Sequence, residues 1–251
     1  MCIIAIKSVT EWFPKHERAF ATGIFNSGAN IGAMVAPVMV PWILGAYGWQ
    51  EAFLITGAIG FIWLIFWIIF YELPSKKGII VKEIVEETET DDVKIPYAKL
   101  FTLKQTWVFI VGKFFTDPIW WFFLFWTPAY LSSVYEMDAT EAALPLFVLY
   151  MITLLSIIGG WLPTYFVEKK GMNPYDGRMK AMLIFAFFPL LALIAQPLGH
   201  YTYWLPVIII GIAGAAHQSW SANIFTTVGD MFPKKAIATV TGIGGLAGGL
   251  G

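Results

Sequence analysis

Glu11-Trp12-Phe13-Pro14-Lys15 and Asp230-Met231-Phe232-Pro233-Lys234 are two versions of one pentapeptide, and the distance between them decides the fold. The same offset of 219 residues carries Ala19 onto Ala238, Thr22 onto Thr241, Gly23 onto Gly242, Ile24 onto Ile243 and Gly32 onto Gly251. A register that never slips points to a duplicated unit, not to shared composition. Between the copies lie apolar runs near 19–45, 50–71, 107–132, 142–167, 181–197 and 203–228. Each is about 20 residues or longer, enough to cross roughly 30 Å of hydrocarbon at about 1.5 Å per residue. Six is even, so both copies point the same way through the bilayer and the chain holds a parallel repeat.

Composition agrees. The chain of 251 residues is 58% hydrophobic and 13% charged, against roughly 25% charged for a soluble domain, so it cannot cover itself with polar surface. Its net charge of -1 comes from Lys and Arg scattered through separate short loops, which gives no basic stripe for nucleic acid. The single cysteine, Cys2, excludes a disulfide framework and a zinc cluster. Residues 1–13 lack the basic start and cleavage site of a signal peptide and read as the end of a helix.

The connections fix the orientation. Lys15 and Arg18 lie before the first full span, no cation lies around Tyr47-Gly48-Trp49, and Lys76 to Lys104 crowd the long connection. The alternation continues with none in 132–139, then Lys169 to Lys180, none around Gly199–Tyr203, and Lys234-Lys235. The positive-inside rule places the basic connections in the cytoplasm. Pro37, Pro41, Pro118, Pro128, Pro145, Pro163, Pro189 and Pro206 fall in or near spans, where neighbouring helices re-satisfy freed carbonyls, so kinks are expected, not breaks. The expected division is 1–71 as the remainder of a first bundle, 72–106 as an acidic and basic cytoplasmic linker, and 107–251 as a second bundle whose last span begins near 236.

Glu11-Trp12-Phe13-Pro14-Lys15-His16-Glu17-Arg18-Ala19, Gly23 through Gly32, Tyr47-Gly48-Trp49, Phe61-Ile62-Trp63 and Trp120-Trp121-Phe122-Phe123-Leu124-Phe125-Trp126-Thr127-Pro128 resemble the anion:cation symporter family of the major facilitator superfamily. Within it the chain is most similar to hexuronate transporters. The resemblance implies an all-α membrane protein with the major facilitator fold: two six-helix bundles related by a parallel repeat and rocking about a mid-membrane site. It is present in part, as about six complete spans and two partial ones, from the end of span four into span eleven. The resemblance further implies proton-coupled uptake of a small organic anion such as a sugar acid, by a monomer in the bacterial inner membrane that needs no cofactor. Sodium coupling and another anion or sugar stay open. The family's first-span arginine and fourth-span glutamate fall outside this sequence, and the loop motif from Gly159 to Gly171 has its usual aspartate replaced.

Several residue types fit a sugar acid. Asn26 and Asn30 share a helix face, with Gly28, Gly32 and Ala36 roughly opposite as a stripe for close helix contact; the amides face the cavity or bond to neighbouring helices. Lys113 and Asp117, with Trp120 a turn further on, are charges well inside a span. Such groups are costly, about 2.5–3.5 kcal/mol each, and tend to be paired and functional. They carry protons or form a structural pair, unless Lys113 snorkels to the interface. His217, Gln218, Ser219, Trp220, Ser221 and Asn223 are too polar for a lipid-facing stretch. By the resemblance, Trp220 and Ser221 help line the substrate site, and His217 is a proton group or a structural hydrogen-bonder. Trp42, Trp49, Trp107 and Trp204 read as an interfacial belt. Gly242-Ile243-Gly244-Gly245 is not a dinucleotide loop, since no strand precedes it, and reads as helix packing. A membrane-embedded enzyme lacks any visible set of convergent nucleophile, base or metal ligands, and a fixed channel has no use for a two-half repeat.

Overall fold

The computed structural model describes residues 8–9, 12–13, 17–71 and 96–251, and among these every regular element is helical. Six of the helices are long and apolar enough to cross a membrane, each within a few residues of the expected span. The proposed linker lies mostly outside the described residues, as does most of the helix end expected at 1–13.

Helix α1, Arg18–Tyr47, turns into α2, Trp49–Phe70, through Gly48 alone. Gly48 sits at φ 101, a conformation an L side chain rarely takes, and its N–H still reaches the Leu44 carbonyl at 3.1 Å. That one residue reverses the chain on the outer side. A turn at Tyr97–Leu100 plants Leu100 in the core beside Phe109 and Val240 before α3, Lys104–Tyr135, begins. After α3 the Asp138 carboxylate accepts the N–H groups of Thr140 and Glu141, at 2.7 and 2.8 Å, which seats the next span.

That span is made of α4, Ala143–Thr153, a 3-10 turn at Leu154–Ile157, and α5, Ile158–Lys170. The following one starts with α6, Pro174–Phe187, capped by Asn173 and with Pro174 at its first position, and passes through a 3-10 stretch at Phe188–Ile194. Then come α7, Trp204–Met231, and α8, Lys234–Leu250. Helices α1, α3 and α5 run unbroken through Pro37, Pro41, Pro118, Pro128 and Pro163. The α-ladder gives way to 3-10 geometry at Phe188–Ile194, which holds Pro189, and at Leu154–Ile157, where no proline stands, without ending either span.

Helix α7 is the axis of the second bundle, packed by α3, α4, α5 and α6 and reached by α1 from the first. The glycines of α8 work as packing surface: a side chain at Gly244 or Gly248 would strike the Phe109 ring or the Asp117 carboxylate of α3. The small-residue stripe expected on α1 behaves differently. Gly28 and Gly32 meet nothing within 4 Å among the described residues, and the close crossing is at Gly23, where an added Cβ would lie 3.7 Å from Gly160. Trp42, Trp49 and Trp107 are exposed as a belt requires, whereas Trp204 packs inward beside Leu131 and Val207.

Candidate functional site

Residues of α7 advance by about 100° each, so its polar run fans out over several neighbours. His217, Ser221 and Phe225, four apart, form one stripe toward α3. The Nε2 of His217 meets the Thr116 carbonyl at 2.7 Å and its ring stacks on Trp120, 13° from parallel with centroids 6.1 Å apart. Facing this stripe, α3 presents Lys113, Asp117 and Trp120. The Lys113 ammonium donates to Asp117 Oδ1 at 2.5 Å and lies 4.2 Å over the Phe225 ring. Lys113 is 3% exposed, so it does not snorkel. Gln218, also buried, is the next step round the helix from this stripe. Lys113–Asp117 and Trp120–His217 thus stand side by side on facing helices, with Ser221 and Gln218 buried on α7 one turn and one residue along from His217.

The remaining predicted residues stand elsewhere. Trp220 points between α3 and α6, into a cavity of about 390 Å³ that it shares with Gly112, Met179 and Met182 and that α1 does not reach. Asn223 faces α5 and donates to the Gly159 carbonyl at 2.7 Å. Asn30 of α1 is fully buried and donates to the Thr153 carbonyl at 3.3 Å and the Ser156 hydroxyl at 3.2 Å. For Asn30 the bond to a neighbouring helix is therefore the one observed. The side chain of Asn26 is outside the described residues.

Two features went unread in the sequence. At the cytoplasmic end, Asp230 of α7 receives Arg178 of α6 in a direct ion pair, and Arg18 of α1 stands 3.6 Å away. Arg18 and Arg178 are 2% and 5% exposed, so two buried cations converge on the partly exposed Asp230. Asp230 was visible as the partner of Glu11 in the repeat, but nothing local named its cations. At the outer end a cavity of about 520 Å³ opens between α1, α3 and α4, lined by Ala36, Pro37, Leu124, Pro128, Ser132 and Tyr150. Helix α1 packs on α4 and on α5 along this span, and the cavity lies beside that contact. Among the described residues no group of His, Cys, Asp and Glu is placed to hold a metal.

Comparison with known proteins supplies independent evidence. The pattern described as Major Facilitator Superfamily matches residues 2–251. A hexuronate transporter of Escherichia coli strain K12 is 31% identical over 96% of this chain. A galacturonate transporter of Dickeya chrysanthemi is 30% identical over 67% of it, and a D-galactonate transporter of Escherichia coli O6:H1 is 28% identical over 98%. The chain spans 58%, 52% and 60% of the lengths of these three relatives.

Proposed function

Because the chain belongs to the major facilitator superfamily, a family of transporters and not of enzymes, we propose that it forms part of a secondary carrier that takes up a sugar acid together with a proton. It is a multi-pass protein of the bacterial cell membrane. The single observation that carries the mechanism is the polar seam between α1 and 107–251: Arg18 meets Asp230 at one end and Asn30 meets Thr153 and Ser156 at mid-depth, with a space of about 520 Å³ beside the other end of the seam. Contacts of this kind hold the cytoplasmic side of a carrier closed, and residues 1–71 and 107–251 are its two moving parts.

Substrate chemistry comes from the polar residues of α3 and α7. A hexuronate offers one carboxylate, several hydroxyls and an apolar ring face. Lys113 supplies the cation, Trp120 an aromatic platform, and His217, Gln218 and Ser221 the hydrogen-bonding groups. In the resting pair Lys113 is occupied by Asp117. Protonation turns the Asp117 carboxylate into a neutral acid and releases the ammonium, which then takes the carboxylate of the substrate, so that proton and anion enter as one exchange. The unit is a monomer, and relatives whose names specify hexuronate, galacturonate and galactonate support this substrate class.

The test uses the full-length carrier in proteoliposomes with radiolabelled glucuronate. Accumulation should follow an imposed proton gradient; accumulation driven only by sodium would move the coupling ion, and no accumulation under either gradient would overturn the carrier reading. Asp117→Asn should lower proton-driven uptake and flatten its pH profile. Uptake and profile identical to wild type reject the coupling role.

A further inference from the structure

The 3-10 turn at Leu154–Ile157 interrupts a span at mid-depth without a proline to cause it. Such turns hold their hydrogen bonds in poorer geometry than an α-helix, and within a helix they often mark hinges. Inside hydrocarbon no water can take over a loosened carbonyl, so protein must. Here three carbonyls spaced three residues apart are each taken by a side chain from another helix. Asn30 donates to Thr153 at 3.3 Å and Asn223 to Gly159 at 2.7 Å, and the Ser219 hydroxyl reaches Ser156 at 3.3 Å as the longer branch of a proton shared with Ala215 of its own helix at 2.8 Å. The last has a further cause: Pro163, four residues on, has no N–H to offer the Gly159 carbonyl.

The three side chains are not equivalent. Ser219 and Asn223 belong to α7, in the same half as the turn, and Gly159 presses so closely on Ser219 that an added Cβ would collide with it. Those two bonds travel with the bundle. Asn30 belongs to α1, in the other half. Its amide N–H groups go to Thr153 and to the Ser156 hydroxyl, and its Oδ1, buried, has no partner among the described residues. Among the described residues the hydrogen bonds of the Asn30 side chain thus run to the turn and the residue before it.

We propose that Leu154–Ile157 is a hinge of the carrier and that Asn30 is the positioning residue that latches it to the opposite half while the cytoplasmic side is closed. The proposal rests on the alternating-access reading above. Rocking of the halves breaks the Asn30 bonds and lets the outer segment α4 tilt against α5, while Ser219 and Asn223 keep the turn satisfied. In this role Asn30 contacts no substrate.

The experiment places Ser132→Cys, on the wall of the outer cavity, in the full-length carrier and follows its reaction with a membrane-impermeant maleimide added outside right-side-out vesicles. Removal of the latch by Asn30→Ala should lower the outward-to-inward equilibrium constant by about three- to tenfold, the range for one or two lost hydrogen bonds, and slow labelling by up to that factor. Glucuronate binding to the purified variant should stay within about threefold of wild type. Ser156→Ala deletes a single hydroxyl, keeps the bond to Thr153, and should slow labelling by about twofold; it decides the matter if Asn30→Ala does not fold. Unchanged labelling in both variants overturns the hinge latch. A loss of binding of tenfold or more with unchanged labelling also overturns it and makes Asn30 a ligand. Labelling needs no substrate, so a wild-type protein without uptake would overturn the carrier reading separately, while the labelling rates still report the latch.

Discussion

Helices α2 and α7 are both long enough to span a bilayer, yet none of the most apolar window of α2 is buried within the chain and 67% of that of α7 is. The less apolar helix is the buried one. In water the order would be reversed. In lipid, an apolar side chain gains little by leaving hydrocarbon for protein, whereas a polar one must find a protein partner. Within this chain, which spans 58% of the length of the hexuronate transporter, α2 leaves Phe53, Phe61 and Ile68 uncovered, and α7 brings His217, Ser219 and Asn223 into contact with two other spans. Polarity along a span therefore marks where helices meet, and function is built at those meetings.

The comparison breaks first if charges inside the bundle are not paired as described. Lys113→Met strands a largely buried Asp117 and should destabilise the full-length protein by about 3–5 kcal/mol, read as thermal unfolding in detergent. Lys113→Met combined with Asp117→Asn should recover most of that loss. A double variant as unstable as the single one would show that Lys113 serves some other partner. A smaller effect separates the two regions directly. Gly159→Val drives a side chain into Ser219 and should cost about 1–3 kcal/mol, whereas Gly57→Val in α2, with nothing within 4 Å among the described residues, should cost less. Equal costs at the two glycines would erase the distinction between a helix packed in protein and one left uncovered within this chain.

Much of this was legible from residues alone. The apolar runs between Glu11-Trp12-Phe13-Pro14-Lys15 and Asp230-Met231-Phe232-Pro233-Lys234 yield the number and order of the spans, because length and hydropathy are local properties. The pair Lys113–Asp117 was legible too, since four residues on a helix bring two side chains together whatever surrounds them. Partners across helices were not. Trp220 and Ser221 adjoin in sequence, but 100° of rotation sends one toward α6 and the other toward α3. Asn30 looks like any cavity amide until Thr153 and Ser156 appear beside it, 123 and 126 residues away. The 3-10 turn at Leu154–Ile157 had no local signal, since its freed carbonyls are held by side chains of α1 and α7.

The smallest effect tests that last point. Asn223→Ala removes the donor that occupies the Gly159 carbonyl and leaves a buried acceptor unmet, which should lower stability by about 1–2 kcal/mol. The carbonyl is unclaimed along its own helix because residue 163 is proline. Pro163→Ala in the Asn223→Ala background returns an N–H to that position, so thermal unfolding of the double variant should move back toward wild type. If Asn223 acted by contacting substrate instead, Pro163→Ala would leave the uptake defect of Asn223→Ala unrepaired. Recovery by Pro163→Ala that exceeds the gain the same substitution gives in the wild-type background reports the hydrogen bond between the two helices, since replacing a helix proline is stabilising by itself.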